Sequence, residues 1–372
     1  MILALIHITQ VLSTPIVSAP IHQSPPAEAV SIENISRLMT PGMNFGNTLE
    51  AIPTQTSWGN PMPNEEFFSG VRKAGFQSIR IPVAWTQYSD SENNIDPKWM
   101  KHVTEVARMA QKADLYVMVN IHWDGGWLQP TVEKEAKATA KLSKFWTQIA
   151  ENFKDFDDRL LLAGTNETGV EGQYTTPAAE NAKIQNSFNQ TFVNTVRATG
   201  GKNRNRLLVI QAYNTDIDTC LIFNTEMPSD VVKNRLLMEV HFYSPYNFTL
   251  NEKSEIWQWG KTATDPKATD TWGNEDHVDE QFAKMKTAFI DKGIPVILGE
   301  YCAGMKDKFP GMNKYRLLWN EYVTESAVKH GMVPMLWDTG SIIDRNTGVP
   351  KDTELIGMII KAAKTKAQKQ SK

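Results

Sequence analysis

The sequence has few of the features that mark several common classes of protein. It contains 2 cysteines in 372 residues, Cys220 and Cys302, which provide neither a disulfide framework nor a metal-binding cysteine cluster, and we interpret them as two unrelated thiols. The formal net charge is −3 with both signs interspersed, so there is no charged surface suited to nucleic acid or an anionic membrane. We therefore expect no nucleic-acid or membrane partner, and the sequence indicates no cofactor and no metal.

A long hydrophobic run occurs only at the N-terminus, in MILALIHITQVLSTPIVSAP. The run is short and is interrupted by polar residues and a proline, so a transmembrane anchor is disfavoured. It ends on Val17-Ser18-Ala19, small residues of the kind that signal peptidases cleave, although no lysine or arginine precedes it. We predict that residues 1–19 are a signal peptide and that the protein is secreted, to the extracellular space or the periplasm.

The rest of the chain indicates one domain. Residues 20–35 are rich in Pro, Ala and Ser and are interpreted as a flexible lead-in. Residues 36–366 contain no internal repeat, low-complexity tract or linker, and we interpret them as a single catalytic domain followed by a polar tail, residues 367–372. We expect a monomer.

Within this domain, short β-branched runs alternate with amphipathic helical stretches. Pro97–Lys112 is typical of the helices, because Asp96 can cap it and Pro97 suits its first turn. The predicted strands are Gly42–Asn47, Ser78–Val83, Tyr116–Ile121, Leu160–Gly164, Leu207–Gln211, Leu236–Val240, Pro295–Leu298 and Val333–Leu336. Eight strands that are apolar on both faces and separated by helices predict a closed (β/α)8 TIM barrel. A doubly wound open sheet is the alternative, and it is disfavoured because no glycine-rich phosphate loop opens a helix.

In such a barrel, the carboxyl ends of the strands converge on one mouth. Each side chain there has an ordinary interpretation when taken alone, such as a solvated loop glutamate or a hydrogen-bonded histidine. An arginine inside an apolar strand is rarer, because it must be paired when buried. The candidate site is therefore the whole set that the strand ends deliver: Asn47, Glu50, Arg80, His122, Trp123, Asn166, Glu167, His241, Tyr243, Glu300 and Trp337.

Two carboxylates across a cleft with aromatic walls suit glycoside hydrolysis. One carboxyl group must protonate the leaving oxygen while the other attacks or stabilises the anomeric carbon. The count of 11 tryptophans is high, and several follow predicted strands, where flat rings can bind the apolar faces of sugars. Many such platforms favour internal cleavage of a chain.

The motifs NFGNTLE, IRIPVAW, NIHWD, GTNE, VHFYSP, LGEY and MLWDTG occur in order and resemble the strand ends of glycoside hydrolase family 5. The resemblance spans roughly residues 31–366 and is strongest to the endoglucanase–xyloglucanase branch, subfamily 4. It implies an endo-acting, retaining hydrolase of β-1,4-glucan (cellulose, mixed-linkage β-glucan or xyloglucan), with Glu167 as acid and base and Glu300 as nucleophile. The family usually has proline after the acid, where this chain has Thr168.

The residues themselves support the same roles. Arg80 and Tyr243 can keep Glu300 ionised by charge and by a hydrogen bond. Glu167 lies beside the neutral Asn166 under aromatic cover, so we expect its pKa to be raised and the group to stay protonated. The carboxyl groups should be roughly 5–5.5 Å apart, as in retaining enzymes.

Other functions remain open on the sequence alone. A β-mannanase or xylanase could use the same scaffold, and a barrel that only binds glycan would leave the glutamates unused. A metal-dependent hydrolase using His122 and His241 is disfavoured because strand 1 offers no His-x-His. Trp257, Trp259 and Trp272 could either fold into their own loop or line the cleft.

Overall fold

The computed structural model of the protein describes residues 31–173 and 175–364. Eight parallel strands form a closed barrel in chain order, each hydrogen-bonded to the next and the last to the first. The predicted (β/α)8 barrel is confirmed. The strands are β1 Gly42–Asn44, β2 Ser78–Ile81, β3 Tyr116–Asn120, β4 Leu160–Ala163, β5 Leu208–Gln211, β6 Leu236–His241, β7 Val296–Tyr301 and β8 Val333–Leu336.

Helices precede the barrel and connect its strands. The predicted helix Pro97–Lys112 is present with the same bounds, and the Asp96 side chain accepts a hydrogen bond from the backbone N–H of Lys98. The α-helices are α1 Ile32–Met39, α2 Glu65–Ala74, α3 Pro97–Lys112, α4 Val132–Phe153, α5 Ala179–Ala198, α6 Ile217–Phe223, α7 Tyr246–Thr249, α8 Glu275–Ala288, α9 Met312–His330 and α10 Thr353–Lys364.

Two kinds of strand boundary differ from the prediction. The first strand ends at Asn44 instead of Asn47, because the chain turns into a loop in which Asn47 has a left-handed φ of 57°. Strands β6 and β7 instead run further than predicted, to His241 and Tyr301. Their pairing shifts register between Val240 and His241, and His241 then pairs with Glu300. The two longer strands thereby place two predicted site residues side by side.

Helix α1 closes the amino-terminal end of the barrel. Its buried Ile32, Ile35 and Met39 join one apolar cluster with side chains from inside the barrel. The lead-in predicted for residues 20–35 is therefore wrong for its last residues, since the helix begins at Ile32. The apolar residues Ile32, Ile35 and Met39 have the three- and four-residue spacing of a helix, but the stretch is short and follows a proline-rich segment. The predicted signal peptide and the polar tail lie outside the described residues.

The barrel interior consists of two layers, because side chains on one face of a strand recur every second residue. The lower layer is apolar and comprises Met118, Leu161, Val209, Leu237, Ile297 and Val333. Two residues further along several strands, the inward positions become polar. This polar layer, Asn44, Arg80, Asn120, Gln211 and Glu239, is fully buried. The outward positions of the same strands pack under the helices in a second, larger apolar cluster.

Cys220 and Cys302 are both free thiols, as predicted. Over the described residues, none of the helices is long and apolar enough to cross a membrane.

Candidate active site

Arg80, in the polar layer, is the central cation of the barrel mouth. Its guanidinium is fully buried, with Nη1 donating to Glu300 Oε1 at 2.8 Å and to Asn44 Oδ1 at 3.0 Å. Its Nε lies 2.9 Å from Glu239 Oε1, an ion pair that is too far off line to be a hydrogen bond. Nη2 donates to Asn166 Oδ1 through a short hydrogen bond. The buried arginine is thus paired on every side, as the sequence required.

Glu300 is held by two donors at the carboxyl end of β7. Arg80 binds one carboxylate oxygen, and the Tyr243 hydroxyl donates to the other at 3.0 Å. Both partners are the ones predicted from the sequence. They fix the carboxylate in one orientation with its side chain 7% exposed at the mouth.

Glu167 follows β4 and has an unusual backbone conformation, with φ at 45°. Such a left-handed φ costs a non-glycine residue free energy and occurs mostly where the fold imposes it. Here the next residue, Thr168, is anchored because its carbonyl accepts from the backbone N–H of Asn214. Gly169 packs against the Asn214 side chain, which would have to move for any other residue, since an added Cβ would lie 1.8 Å from Asn214 Oδ1. The loop after β5 therefore holds the segment in which the family usually has proline.

The two carboxylates are close together. One oxygen of Glu167, one oxygen of Glu300 and a ring nitrogen of His241 all lie within 4.8 Å of one another. Inverting glycosidases need roughly 6.5–9.5 Å between their carboxyl groups to admit a water, whereas retaining enzymes use roughly 5–5.5 Å. These two oxygens are closer than the inverting range, and the separation of roughly 5–5.5 Å between the carboxyl groups stays a prediction.

The same three side chains form a group that could share a metal ion, and among the described residues this group does not include His122. The pair of histidines considered as metal ligands from the sequence is therefore not brought together as such. Glu167 binds His241 directly, and Glu300 binds Arg80 directly, so the carboxylates are already balanced by protein cations.

His241 connects three carboxylates from three strands. Its Nδ1 is 2.7 Å from Glu167 Oε1 and 3.7 Å from Glu300 Oε2, and its Nε2 is 3.2 Å from Glu239 Oε1. Burial disfavours its charged form, but these carboxylates outweigh burial and raise the pKa of His241 to about 9. The ring is therefore an imidazolium at neutral pH, which the sequence did not indicate.

This cation reverses the direction of the pKa shift that the sequence predicted for Glu167. Burial disfavours ionisation of Glu167, but the hydrogen bond and charge of His241, with Arg80, lower its pKa below the usual value. The pKa of Glu300 is raised, because burial and the charge of Glu167 outweigh His241 and Arg80. The prediction of a raised pKa for Glu167 is wrong for the free protein. Its neighbour in sequence is neutral, but its neighbour in space is charged.

His122 and Trp337 form an aromatic wall beside the pair. Their rings are stacked with centroids 5.9 Å apart and planes 11° from parallel. Burial, followed by the charges of Arg80 and His241, holds the pKa of His122 well below its ordinary value, so this imidazole is neutral. Gly46 makes room for the indole, because an added Cβ would lie 2.9 Å from Trp337 Cζ2.

Two predicted site residues make hydrogen bonds within and beside the loop after β1. Glu50 is 1% exposed, and its carboxylate caps the backbone N–H groups of Asn47 and Thr48. Burial outweighs these bonds and raises its pKa to about 7. Asn47 is half-buried at its left-handed turn, and its carbonyl accepts from the Asn60 side chain at 2.9 Å. Both residues shape the loop after β1, and contact of Glu50 or Asn47 with substrate stays a prediction.

Two hollows extend the cleft from Glu167. One, of about 730 Å³, is lined by Trp123, whose side chain is half exposed. The other, of about 430 Å³, is lined by Tyr246 and Trp272, both exposed. Trp259 is buried instead, with its indole N–H donating to the Gly273 carbonyl at 2.7 Å.

The question left open for the three loop tryptophans is thus answered separately for each. Trp272 lines the cleft, Trp259 belongs to the core of the loop, and Trp257 stacks on Phe309 at 5.6 Å.

Sequence reasoning missed the rest of the polar layer, above all Gln211 and Glu239. The sequence LLMEVH could have indicated Glu239, because a glutamate interrupts an apolar strand there. It is two residues before His241 and so lies on the same face of the strand. The same reasoning that singled out Arg80 applies to this buried glutamate, since each needs a partner of opposite charge.

Comparison with known proteins identifies one family. A family model described as cellulase, glycosyl hydrolase family 5, matches residues 41–341. The chain is 41% identical over 350 residues to a xyloglucan-specific endo-β-1,4-glucanase of Bacteroides ovatus, covering 88% of this chain and 69% of that protein. It is 35% identical over 334 residues to endoglucanase A of Paenibacillus barcinonensis, covering 84% and 83%.

Solved structures are similar along most of the chain. A Bacteroides ovatus family 5 xyloglucanase in complex with an XXXG heptasaccharide superposes with a TM-score of 0.86 at 39% identity, covering 91% of this chain and 77% of that one. A broad-specificity endoglucanase of subfamily 4 from Bacteroides salanitronis gives a TM-score of 0.85 at 34% identity, covering 92% and 100%.

Proposed function

Because the chain belongs to glycosyl hydrolase family 5, the cellulase family, it is an endo-β-1,4-glucanase, and we propose that Glu300 is its nucleophile and Glu167 its acid and base. The observation that carries these roles is the close pair of carboxylates in two different settings. Glu300 is fixed by Arg80 and Tyr243, which suits an attacking carboxylate. Glu167 is the more exposed of the two and shares a proton-bearing partner, His241.

In the first step, Glu300 attacks the anomeric carbon and the bond to the leaving sugar breaks. The leaving oxygen needs a proton. In the free protein Glu167 is ionised, so the proton comes from His241: it passes from Nδ1 of the imidazolium to Glu167, and from Glu167 to the leaving oxygen. The pair ends as neutral histidine with ionised glutamate. Arg80 stabilises the negative charge of Glu300 before attack, and it stays close to that carboxylate as the charge is lost in forming the ester.

In the second step, water must attack the glycosyl ester. Esterification removes the charge of Glu300, one of the groups that keeps a proton on His241. Glu167 then accepts the proton of the attacking water, and the bond to Glu300 breaks with that carboxylate restored. Two displacements at the same carbon retain its configuration.

The roles are tested with two variants and azide. With Glu300→Ala, azide should enter from the vacated face and give a glycosyl azide of inverted configuration. With Glu167→Ala and a substrate whose leaving group needs no proton, the glycosyl-enzyme should form and azide should then give retained configuration. Proton NMR of the anomeric centre distinguishes the two products. The same configuration from both variants, or inversion by the unsubstituted enzyme, would reject the assignment, and no cleavage by the unsubstituted enzyme would favour a glycan-binding barrel.

Xyloglucan is the β-1,4-glucan that we propose as a good substrate, alongside unbranched chains. The support is the likeness to xyloglucanases and the two hollows that widen the cleft on either side of Glu167. Room beside the main chain is needed for side-chain sugars. Comparison of kcat/KM for xyloglucan, mixed-linkage β-glucan, mannan and xylan tests this, and preference for mannan or xylan would contradict it.

Export through the predicted signal peptide and a monomeric state are also proposals. The support for export is the apolar segment ending on Val17-Ser18-Ala19. A mature protein that retains residues 1–19 when recovered from its native cells would contradict cleavage, and light scattering tests the monomer.

A further inference from the structure

Glu239 lies below the barrel mouth and is fully buried on β6. It is two residues before His241 on the same inward face. The roles proposed above for Glu167 and Glu300 do not use it. A carboxylate in such a place costs several kcal/mol unless it is paired, so its partners indicate what it does.

Both oxygens of Glu239 are occupied by residues of the site or its support. Oε1 faces Arg80 Nε at 2.9 Å and His241 Nε2 at 3.2 Å. Oε2 accepts from Gln211 Nε2 at 2.8 Å, and Gln211 Oε1 in turn accepts from the Thr165 hydroxyl at 3.1 Å. Burial disfavours ionisation, but Arg80 and His241 outweigh it and lower the pKa of Glu239. The carboxylate is charged.

The neighbouring strand is shaped around this carboxylate. Gly299, the residue before Glu300 on β7, has no side chain where an added Cβ would lie 2.0 Å from Glu239 Oε1. Any other residue at 299 would displace Glu239 or the strand that carries Glu300. The space for the buried glutamate is therefore part of the construction of the site.

We propose that Glu239 is a positioning residue that holds Arg80 and His241 from below and so supports Glu300 and Glu167 together. Arg80 binds Glu300, and His241 binds Glu167, while Glu239 contacts both cations from below the cleft. The inference rests on the proposed function of the two cleft glutamates, since it concerns how they are held.

Glu239 also determines which proton His241 keeps. With Nε2 held by the Glu239 carboxylate, the proton on Nδ1 is the one that faces Glu167 and can be passed to it. The other titratable groups beside the ring are Glu300, 3.7 Å from Nδ1, and His122, whose pKa the charge of His241 helps to lower. Removing the charge of Glu239 takes away one of the three carboxylates that raise the pKa of His241, while Arg80 remains. The pKa of His241 should therefore fall, and the Glu167–His241 pair should lose its transferable proton at lower pH.

The test is Glu239→Gln, which keeps the shape and removes the charge. Gln211 can turn its amide over to accept from the new donor, because the Thr165 hydroxyl can accept as well as donate. We expect kcat to fall roughly 10–100-fold, as when a supporting partner of a site residue is lost. The alkaline limb of the pH profile of kcat/KM should move to lower pH, and KM should change little because Glu239 does not touch substrate.

The matched control is Thr165→Val, which removes the hydroxyl at the far end of the same chain of hydrogen bonds but leaves Glu239 charged. Its pH profile should keep the limbs of the unsubstituted enzyme. If Glu239→Gln lowers kcat by one factor at every pH, with both limbs unmoved, Glu239 has only a structural role and the inference is wrong.

A second measurement does not require Glu239→Gln to fold. In the unsubstituted protein labelled with ¹⁵N-histidine, His241, assigned by comparison with His241→Asn, should carry protons on both nitrogens at pH 7. A neutral ring would overturn the inference. Failure of the proposed function would instead be an unsubstituted enzyme that does not cleave β-glucan, or azide products that contradict the two roles, whatever the state of His241.

Discussion

The lower and upper halves of the barrel interior are built on the same strands but from opposite kinds of side chain. At the end closed by α1, Met118, Leu161 and Leu237 pack into an apolar layer. Two residues further along β6, Glu239 lies fully buried among charged partners. The strands thus change from hydrophobic packing to ion pairing within about 7 Å, the rise of two strand residues.

The difference separates what stabilises the barrel from what it does. Apolar burial is non-directional and tolerates change of shape at modest cost. Buried ion pairs contribute little net stability but are costly to break, and their geometry is specific. We therefore infer that the polar layer is present because it orients Glu167 and Glu300. Substitutions in the two layers should separate loss of folding from loss of activity.

The largest effect is expected for Arg80→Met. It leaves Glu239 and Glu300 buried with only His241 of the two cations that they share. We expect unfolding to become easier by roughly 3–5 kcal/mol and kcat to fall by at least about 10²-fold in the protein that remains folded. Urea unfolding and active-site-normalised kinetics measure the two losses. Retained activity would show that the upper layer is not what orients the pair.

Leu161→Ala tests the lower layer. It creates a cavity in the apolar interior, so we expect a loss of roughly 2–5 kcal/mol in the free energy of unfolding. The site lies above this layer, and kcat per folded molecule should stay near that of the unsubstituted enzyme. A large fall in kcat at full occupancy of the folded state would mean that the two layers are coupled.

The smallest effect concerns the pH dependence of stability. The folded pKa of His241, about 9, lies above its ordinary value of 6.5. The proton it gains on folding stabilises the protein fully below the ordinary value, and this contribution is lost as the pH rises through the folded value. His241→Asn should remove that fall, which is on the order of 1–3 kcal/mol. Urea unfolding at pH 6 and pH 9.5 measures it, and parallel curves for the two proteins would contradict an imidazolium.

The sequence alone determined the fold and most of the site. Eight apolar runs alternating with helices specify a closed parallel barrel, because strands buried on both faces need helices around them and a mouth at one end. Strand ends then identified Arg80, His241 and Glu300 as neighbours, since the barrel converges there whatever the loops do. Helix α3 was predicted to the residue because its capping signals are local.

Only the tertiary structure decided the charges and the loops. The pKa of Glu167 depends on His241, which is 74 positions away in the chain but 2.7 Å away in space. The loop after β1 turns Glu50 into a backbone cap, and the shift of register between β6 and β7 brings His241 beside Glu300. Periodicity in a sequence reports which face of a strand is buried, but it does not report which residue of another strand lies opposite. Coulomb interactions depend on the distance between charged groups, so the protonation of the site follows from the tertiary structure and not from the sequence pattern.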